Sequence, residues 1–350
     1  MQLGTGLFTG QQGPDDDRAM TAVYDEMVRL TREIEAAGLD SAWVSEHHFT
    51  EDGYLSGTMP VLGAMATETD EIEIGSCVAL GPLYEPIRLA EDAATADLLS
   101  EGRLTLGLAI GSNPREFDAF GVPREERAER LADLVPLLGN AWSEGPIEYD
   151  SAFHDVPPDI SITPKPTDET VPIMLGGAAK PAVRRAARTA EGWCAPSSLS
   201  VEGVNKRVED IRHVREEESL DGVDDDSSSA SETPSHDDFT IYVLQHGWVG
   251  DSREEAWETM RDGYFYIQRR YAEIFSGEPV DELDDERKRE LKEQAIFGTP
   301  EQVTEELNSY RDALGDDIHF ILRTYYPGVG TEEMVECVHR LGDEVAPAVR

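Results

Sequence analysis

Short apolar runs alternate with amphipathic stretches along the whole chain. The amphipathic stretches repeat an apolar residue every three to four positions and predict helices, whereas the β-branched runs between them predict strands. This alternation is typical of a parallel sheet wrapped by helices. The predicted strands are 2–8, 41–46, 72–79, 104–110, 172–176, 192–196, 239–248 and 318–324, and the predicted helices are 21–37, 59–69, 86–99, 124–142, 180–190, 201–217, 252–275, 300–314 and 331–346.

Eight β/α units predict an α/β fold of the TIM (β/α)8 barrel type. A doubly wound sheet is the alternative, but no GxGxxG follows the first strand, and the strand count favours a closed barrel. A bare barrel needs about 250 residues, and this chain has 350. We therefore expect one domain, 1–350, with insertions near 145–170, 219–238 and 276–299. The second is acidic and rich in serine, as in a mobile loop, and the third is a lid candidate.

The charge is strongly negative, with 72 acidic against 30 basic residues and a net charge of −42. Such a field repels nucleic acid and anionic membranes and strains a compact chain at low salt. Molar salt screens this repulsion, so we predict a halophilic protein, with an ordinary acidic protein as the alternative. No apolar run reaches the roughly 18 residues of a membrane span, and no signal-like N-terminus is visible. A cytoplasmic protein is expected.

The three cysteines, Cys77, Cys194 and Cys337, are widely spaced and lack CxxC or Cys/His ligand spacing. This pattern predicts buried thiols and no structural zinc site.

The run "SAWVSEHHF" places Glu46, His47 and His48 at the end of the second predicted strand. In a TIM barrel the reactive groups lie at the carboxyl ends of the strands, which form the barrel mouth. A histidine there can act as a general base near neutral pH, and a neighbouring carboxylate can orient it. A metal site is disfavoured because no further ligand motif accompanies the run. The structural alternative is that these side chains only hydrogen-bond a loop.

Two later strand ends are rich in small residues. "GRLTLGLAIGSNPREFDAFG" ends its strand at Gly111 and Ser112, with Arg115 following, and "VPIMLGGAAKPAVRRAA" ends its strand at Gly176 and Gly177 before a helix. Glycines let backbone N–H groups approach a ligand, and a helix N-terminus favours anions. The two ends can share one phosphate, although each is also compatible with an ordinary βα loop. "IGSCVALGP", without an ionisable group, suits either a flat apolar ring or plain barrel core.

Several of these segments together resemble the bacterial luciferase-like family of flavin-dependent monooxygenases: "WVSEHHFTEDG", "GSCVALGPLYEPIRLAEDAATADLLSEGRLTLGLAIG", "EFDAFGV" and "FGTPEQVTEEL". The resemblance is collinear over nearly the whole chain. It implies a TIM barrel that binds FMN at its mouth, or a 5-deazaflavin coenzyme in some branches. It also implies reduced flavin delivered by a separate flavin reductase, oxygen and a small organic substrate such as an aldehyde, and a homodimer. Helix 59–69 is the predicted dimer contact.

By the resemblance, His47 matches the catalytic histidine beside the flavin, and Glu46 and His48 are its motif neighbours. Cys77 and Val78 match the pair that backs the isoalloxazine ring, where family members often have a non-proline cis peptide.

On the phosphate side, Gly176 and Gly177 match the strand-to-helix loop, where luciferases have Glu and Ser. Luciferases also place an arginine directly before the glycine that matches Gly111, and this chain has Ile110 there. Because a charge-assisted hydrogen bond contributes about 1.5–3 kcal/mol, Arg115 is the candidate substitute, and the choice between FMN and deazaflavin stays open.

The sequence thus predicts a flavin-dependent monooxygenase with His47 as active-site base. A flavin- or deazaflavin-dependent hydride-transfer enzyme is the first alternative, and a non-catalytic flavin-binding subunit is the second.

Overall fold

A computed structural model describes residues 1–221 and 239–350, with side chains described outside 218–238. Eight parallel strands form a ring, which closes because the last strand pairs with both the first and the one before it. The ring strands are β1 (Gln2–Phe8), β2 (Ser41–Val44), β3 (Glu73–Ser76), β5 (Leu104–Ala109), β6 (Ile173–Gly176), β7 (Gly192–Ala195), β8 (Thr240–Val249) and β10 (Ile318–Arg323). The predicted TIM barrel is confirmed.

Two short strands extend this ring: β4 (Ala79–Leu80) pairs with β5, and β9 (Ile296–Gly298) pairs with β8. Neither was predicted separately, because two or three residues carry too little alternation to show a period.

Helices cover the outside of the ring. They are α1 (Met20–Ala36), α2 (Thr58–Thr67), α3 (Pro86–Leu99), α4 (Pro114–Phe120), α5 (Arg127–Trp142), α6 (Lys180–Thr189), α7 (Val201–Asp221), α8 (Arg253–Ser276), α9 (Asp285–Gln294), α10 (Pro300–Leu314) and α11 (Thr331–Arg340), followed by a π-turn (Leu341–Val345) and α12 (Ala346–Val349). The short helices α4 and α9 lie outside the predicted set.

Strand alternation separates two apolar layers. In β5, Leu104, Leu106 and Leu108 belong to the large core between sheet and helices, whereas Gly107 faces the barrel interior. A Cβ at Gly107 would lie 1.8 Å from the carbonyl oxygen of Ser76, so β3 and β5 can approach only with glycine there. A smaller cluster fills the interior: Leu7, Trp43, Cys77, Met174, Cys194, Tyr242 and Ile321.

The amino end of the barrel is filled by polar and aromatic side chains. Ser41 Oγ accepts a hydrogen bond from Trp43 Nε1 at 2.7 Å and lies 2.6 Å from His319 Nε2. The His319 ring stacks on Tyr242, whose hydroxyl donates to Glu73 at 3.1 Å. This packing leaves the opposite, carboxyl end as the place for reactive groups.

The predicted insertions differ in structure. Residues 145–170 contain no helix or strand, whereas 276–299 contains α9 and β9. The α9 segment packs outside the barrel, with Leu291 buried and its carbonyl bonded by the Tyr264 hydroxyl at 3.2 Å. The predicted insertion 219–238 lies outside the described residues except for the end of α7. Among the described residues, no helix is long and apolar enough to cross a membrane.

Candidate active site at the barrel mouth

His47 is held by a carboxylate that lies far along the chain. His47 Nδ1 lies 3.0 Å from Glu116 Oε1, and the backbone N–H of His48 donates to the same oxygen at 2.9 Å. Both side chains are buried. Since an ionised carboxylate only accepts hydrogen bonds, the proton of the neutral imidazole resides on Nδ1. No group in the described part of the chain bonds Nε2, which is therefore the nitrogen available as a base.

Glu46 and His48 form a second pair. His48 Nε2 lies 2.7 Å from one oxygen of Glu46, and the other oxygen accepts from the Tyr84 hydroxyl at 2.6 Å and from the Leu80 amide at 3.3 Å. These contacts join the end of β2 to β4 and to the segment after it. The two motif neighbours thus bond each other and the adjacent loop, while His47 pairs with Glu116.

Aromatic rings surround the His47 imidazole. The ring centroids of Tyr54, Tyr271 and Phe275 lie 4.9, 6.1 and 6.4 Å from the centroid of the imidazole ring. Tyr271 and Phe275 belong to the carboxyl half of α8, so this helix overhangs the mouth. Phe275 is 57% exposed, which leaves an apolar rim next to the base.

One carboxylate anchors α8 at this position. Asp52 Oδ2 accepts hydrogen bonds from Gln11 Nε2 at 2.7 Å, the Tyr266 hydroxyl at 3.0 Å and Arg270 Nε at 3.1 Å. Burial alone would raise the pKa of Asp52, but the Gln11 hydrogen bond and the Arg270 charge hold it below its ordinary value. Asp52 thereby links the loops after β1 and β2 to α8.

A hydrogen-bonded chain of polar side chains lies behind the aromatic rings. Arg323, fully buried at the end of β10, donates from Nη1 to the Tyr271 hydroxyl at 2.8 Å. The hydroxyls of Tyr271 and Tyr54 lie 3.1 Å apart, and Tyr54 donates to Ser45 Oγ at 3.1 Å.

The neighbouring strand ends form a platform of small side chains. The Cys77–Val78 peptide is cis, in the place where the family resemblance implies one. A Cβ at Gly176 would lie 3.2 Å from Val78 Cγ1 and 3.8 Å from the Ala109 Cβ. Because Gly176 has no side chain, Val78, Ala109 and Gly176 form a flat apolar surface, the cradle, at the ends of β5 and β6 and beside the segment that joins β3 to β4. Beneath it, Cys77 Sγ lies 3.4 Å from Sγ of Cys194.

The cradle continues into two βα loops. Gly177 has φ of +140° and precedes α6, whose N-cap residue Ala179 makes no side-chain hydrogen bond to the helix. The exposed N-terminus of α6 is thus open to an anion. Gly111, with φ of +68°, turns the other loop.

The candidate cofactor-binding residues around Gly111 lie in different environments. Ile110 packs against the core, and the carbonyl oxygen of Ser112 accepts from Arg124 Nε at 2.9 Å. Arg115 is exposed on α4, and only its backbone amide is bonded, to Asn113 Oδ1. The Arg115 guanidinium can therefore move toward an anion, and the guanidinium that bonds this loop is that of Arg124.

These features fit FMN, because a flat apolar cradle for a ring is continuous with a helix N-terminus for a phosphate. Val78 and Gly176 would face the ring, and Gly177 and α6 would hold the phosphate. Among the described residues, no group of three or more His, Cys, Asp or Glu side chains is arranged to hold a metal ion.

Sequence reasoning missed several residues of this site, among them Glu116, Arg323 and Tyr271. Glu116 lies 69 positions after His47, but Asn113-Pro114 is a helix-start signal that would have placed it in a first turn. Arg323 had only a weak signal in the sequence, because it is a charged residue at the end of an apolar strand. Tyr271 had none.

The comparisons with known proteins identify the family of this chain. The family model of the luciferase-like monooxygenases matches residues 1–317. A relative, the oxygenase component of the flavin-dependent trigonelline monooxygenase of Acinetobacter baylyi, is 24% identical over 98% of this chain and 94% of its own.

Three solved structures share the fold over the whole of this chain. Monooxygenase RslO1 from Streptomyces bottropensis has a TM-score of 0.82 at 23% identity, covering 100% of both chains. The oxygenating constituent of 3,6-diketocamphane monooxygenase from Pseudomonas putida, in complex with FMN, has a TM-score of 0.76 at 18% identity, covering 100% of this chain and 99% of its own. The coenzyme F420 dependent tetrahydromethanopterin reductase from Methanopyrus kandleri has a TM-score of 0.72 at 16% identity, covering 100% of this chain and 99% of its own. Since the family model spans most of the chain, this protein belongs to the luciferase-like monooxygenases, a family of flavin-dependent enzymes.

Proposed function

We propose that this chain is the oxygenase component of a two-component monooxygenase, which uses reduced FMN from a separate reductase and molecular oxygen to oxidise a small organic substrate. The observation that carries the proposal is the His47–Glu116 pair, 3.0 Å apart and buried, beside an apolar cradle that fits a flavin ring. The trigonelline relative, named as an oxygenase component, supports the same division of labour.

Each part of the mouth has a task in this proposal. When bound, reduced FMN supplies electrons to oxygen and carries an oxygen atom to the substrate. His47 Nε2 accepts a proton from the reacting group, and Glu116 keeps the other nitrogen protonated. Tyr54, Tyr271 and Phe275 exclude water from this side of the ring, which limits the loss of activated oxygen as hydrogen peroxide.

The variant His47→Ala tests the assignment of the base. We expect oxidised FMN to bind with unchanged affinity, because the cradle and the α6 N-terminus are intact. Substrate-dependent oxygen uptake that ends in product should fall by about 10²–10⁴-fold, and hydrogen peroxide should replace the product. Aldehydes, ketones and sulfonates form the substrate panel. His48→Ala, which removes the pair with Glu46 and the ring contacts with Phe49 and Phe120 but leaves the His47–Glu116 bond, is the matched control. Undiminished coupling in His47→Ala would remove His47 from the mechanism.

A second function is hydride transfer with a 5-deazaflavin coenzyme and no oxygen. Two observations favour it: Ile110, which packs against the core, stands where the family resemblance implies an arginine, and the Methanopyrus kandleri reductase of the same fold is named for coenzyme F420. Anaerobic titration of the protein with FMN and with coenzyme F420 separates the two functions. Tighter binding of FMN supports the oxygenase, and binding of coenzyme F420 alone would replace it.

We further propose that the protein is a homodimer that pairs through α2 and α3. Leu98 and Leu99 are 40% and 47% exposed on α3, and a Cβ at Gly63 of α2 would lie 3.7 Å from Leu99 Cδ1. Apolar side chains and a small residue thus share one surface, as expected of a helix-to-helix contact between subunits.

A further inference from the structure

Arg323 is a buried cation whose hydrogen-bond partners are all neutral. Its guanidinium donates to the Tyr271 hydroxyl, the Tyr325 carbonyl and Thr9 Oγ1. Among the side chains that the structure describes, no carboxylate forms an ion pair with it, although the chain carries 72 acidic residues. Burying a charge without a counter-ion is costly, so a site that keeps one usually uses it.

The guanidinium stays charged despite its burial. Burial alone would lower the pKa of Arg323, but the hydroxyls of Tyr271 and Tyr54 raise it above its ordinary value. The barrel mouth therefore holds a permanent positive charge inside a strongly acidic protein.

A series of hydrogen bonds leads from Arg323 to Ser45, and each group in it donates to the next. Tyr271 accepts from Arg323 at 2.8 Å, so its own proton is available for Tyr54, 3.1 Å away. Tyr54 in turn donates to Ser45 Oγ at 3.1 Å. Each hydroxyl has a single proton to give. The chain accordingly ends at the Ser45 proton, for which the described residues offer no acceptor.

The end of the chain lies in the candidate active site. Tyr54 bonds Ser45 with its hydroxyl and contacts the His47 ring at 4.9 Å. Hydrogen bonds that begin at a cation polarise one another, so the last donor is stronger than an isolated hydroxyl. The Ser45 hydroxyl is therefore suited to an oxygen that carries negative charge.

We propose that Arg323, acting through Tyr271 and Tyr54, makes the Ser45 hydroxyl the donor to an anionic oxygen bound next to His47. The inference rests on the proposed function in placing the cofactor at this mouth. Two sources supply the same chemistry: a substrate carboxylate, and the pyrimidine edge of reduced FMN, which is anionic near neutral pH. Ser45 touches the ligand, and Arg323 is a positioning residue.

The experiment compares charged and neutral probes on the full chain in molar KCl. Benzoate and benzamide, equal in shape, test for the carboxylate, and FMN in its oxidised and reduced forms tests for the cofactor. We expect at least one pair to show a preference for the anion of about tenfold or more, equivalent to about 1.4 kcal/mol. A preference in the benzoate pair assigns the site to the substrate, and one in the FMN pair assigns it to the cofactor.

Variants then test the chain. Ser45→Ala and Tyr271→Phe should each abolish the preference, which is measured as the ratio of the two affinities within a pair, so that a general loss of binding does not count as support. Ser76→Ala, which removes another buried serine hydroxyl, bonded to the Gly107 carbonyl, is the matched control and should keep it. Arg323→Lys should retain part of the preference that Arg323→Met loses, and thermal unfolding reports stability separately.

The proposal is overturned if the protein prefers neither anion, or if both Ser45→Ala and Tyr271→Phe leave the preference intact. A failure of the proposed function is distinguishable, because it would appear as absent FMN binding or absent substrate-dependent oxygen uptake, whereas the benzoate comparison measures the anion preference independently of both.

Discussion

Glu116 determines which nitrogen of His47 carries the proton, and Glu116→Leu removes this control while filling most of the same space. Glu116 Oε1 is the acceptor for both His47 Nδ1 and the His48 amide. A glutamine oxygen can take the same place, so Glu116→Gln should leave the proton on Nδ1. Leucine offers no acceptor, so the proton is no longer held on Nδ1 and can move to Nε2, where the base is needed.

The magnitude follows from the bond that is lost. A hydrogen bond to a charged group contributes about 1.5–3 kcal/mol, and about 1.4 kcal/mol corresponds to a tenfold change in an equilibrium. Loss of the 3.0 Å bond should therefore lower the ratio of Nδ1–H to Nε2–H imidazole by about 10- to 100-fold. Coupled turnover should fall by about 10²-fold or more, as expected for a lost general base.

Nitrogen NMR of ¹⁵N-histidine-labelled protein measures this directly, since protonated and unprotonated ring nitrogens differ widely in chemical shift. We expect the His47 signal to change from the Nδ1–H toward the Nε2–H pattern in Glu116→Leu and to stay in the Nδ1–H pattern in Glu116→Gln. Asp118→Asn, which changes an exposed carboxylate on the same helix, is the second control and should leave the signal unchanged. An unaltered Nδ1–H tautomer in Glu116→Leu would refute this reasoning.

Four further predictions concern stability, the cofactor and assembly. The unfolding temperature should rise by about 5 °C or more between about 0.1 M and 1 M KCl, because the screening length falls from about 10 to 3 Å; an unchanged value would contradict the halophilic prediction. Asp52→Asn should cost about 1.5–3 kcal/mol of unfolding free energy at neutral pH. Because the pKa of Asp52 is lowered on folding, its contribution is present above the ordinary value of 3.8 and is lost as pH falls through the folded pKa; equal losses at all pH values in urea titrations would argue against this. Gly176→Leu should weaken FMN binding by about tenfold or more by filling the cradle, whereas Gly139→Ala, with open space around the added Cβ, should not. Leu99→Glu should shift gel filtration in molar salt from dimer to monomer, and an unshifted dimer would place the interface elsewhere.

The barrel could be predicted from the sequence because its local patterns agree with the final packing. In β5, the apolar positions Leu104, Leu106 and Leu108 all face the helix layer, which is what strand alternation predicts. The elements that were missed are short: β9 has three residues and α4 has seven. Elements of that length are fixed by tertiary contacts more than by their own periodicity.

The site was predicted only in part, for a physical reason. Glu46, His47 and His48 are adjacent in sequence and follow a strong strand, so their place at the mouth could be inferred. Their partners could not, because the distance that matters is spatial: Arg323 and Tyr271 lie 52 positions apart and both far from His47. The sequence identifies residues with reactive side chains, whereas the tertiary structure determines which of them lie close together.

A crystal structure of the protein grown with FMN in molar salt tests the central claim most directly. The account predicts the isoalloxazine ring against Val78 and Gly176, the phosphate at the N-terminus of α6, and His47 Nε2 facing the ring. FMN bound elsewhere on the barrel, or an imidazole turned away from the ring with Nε2 against Glu116, would contradict it.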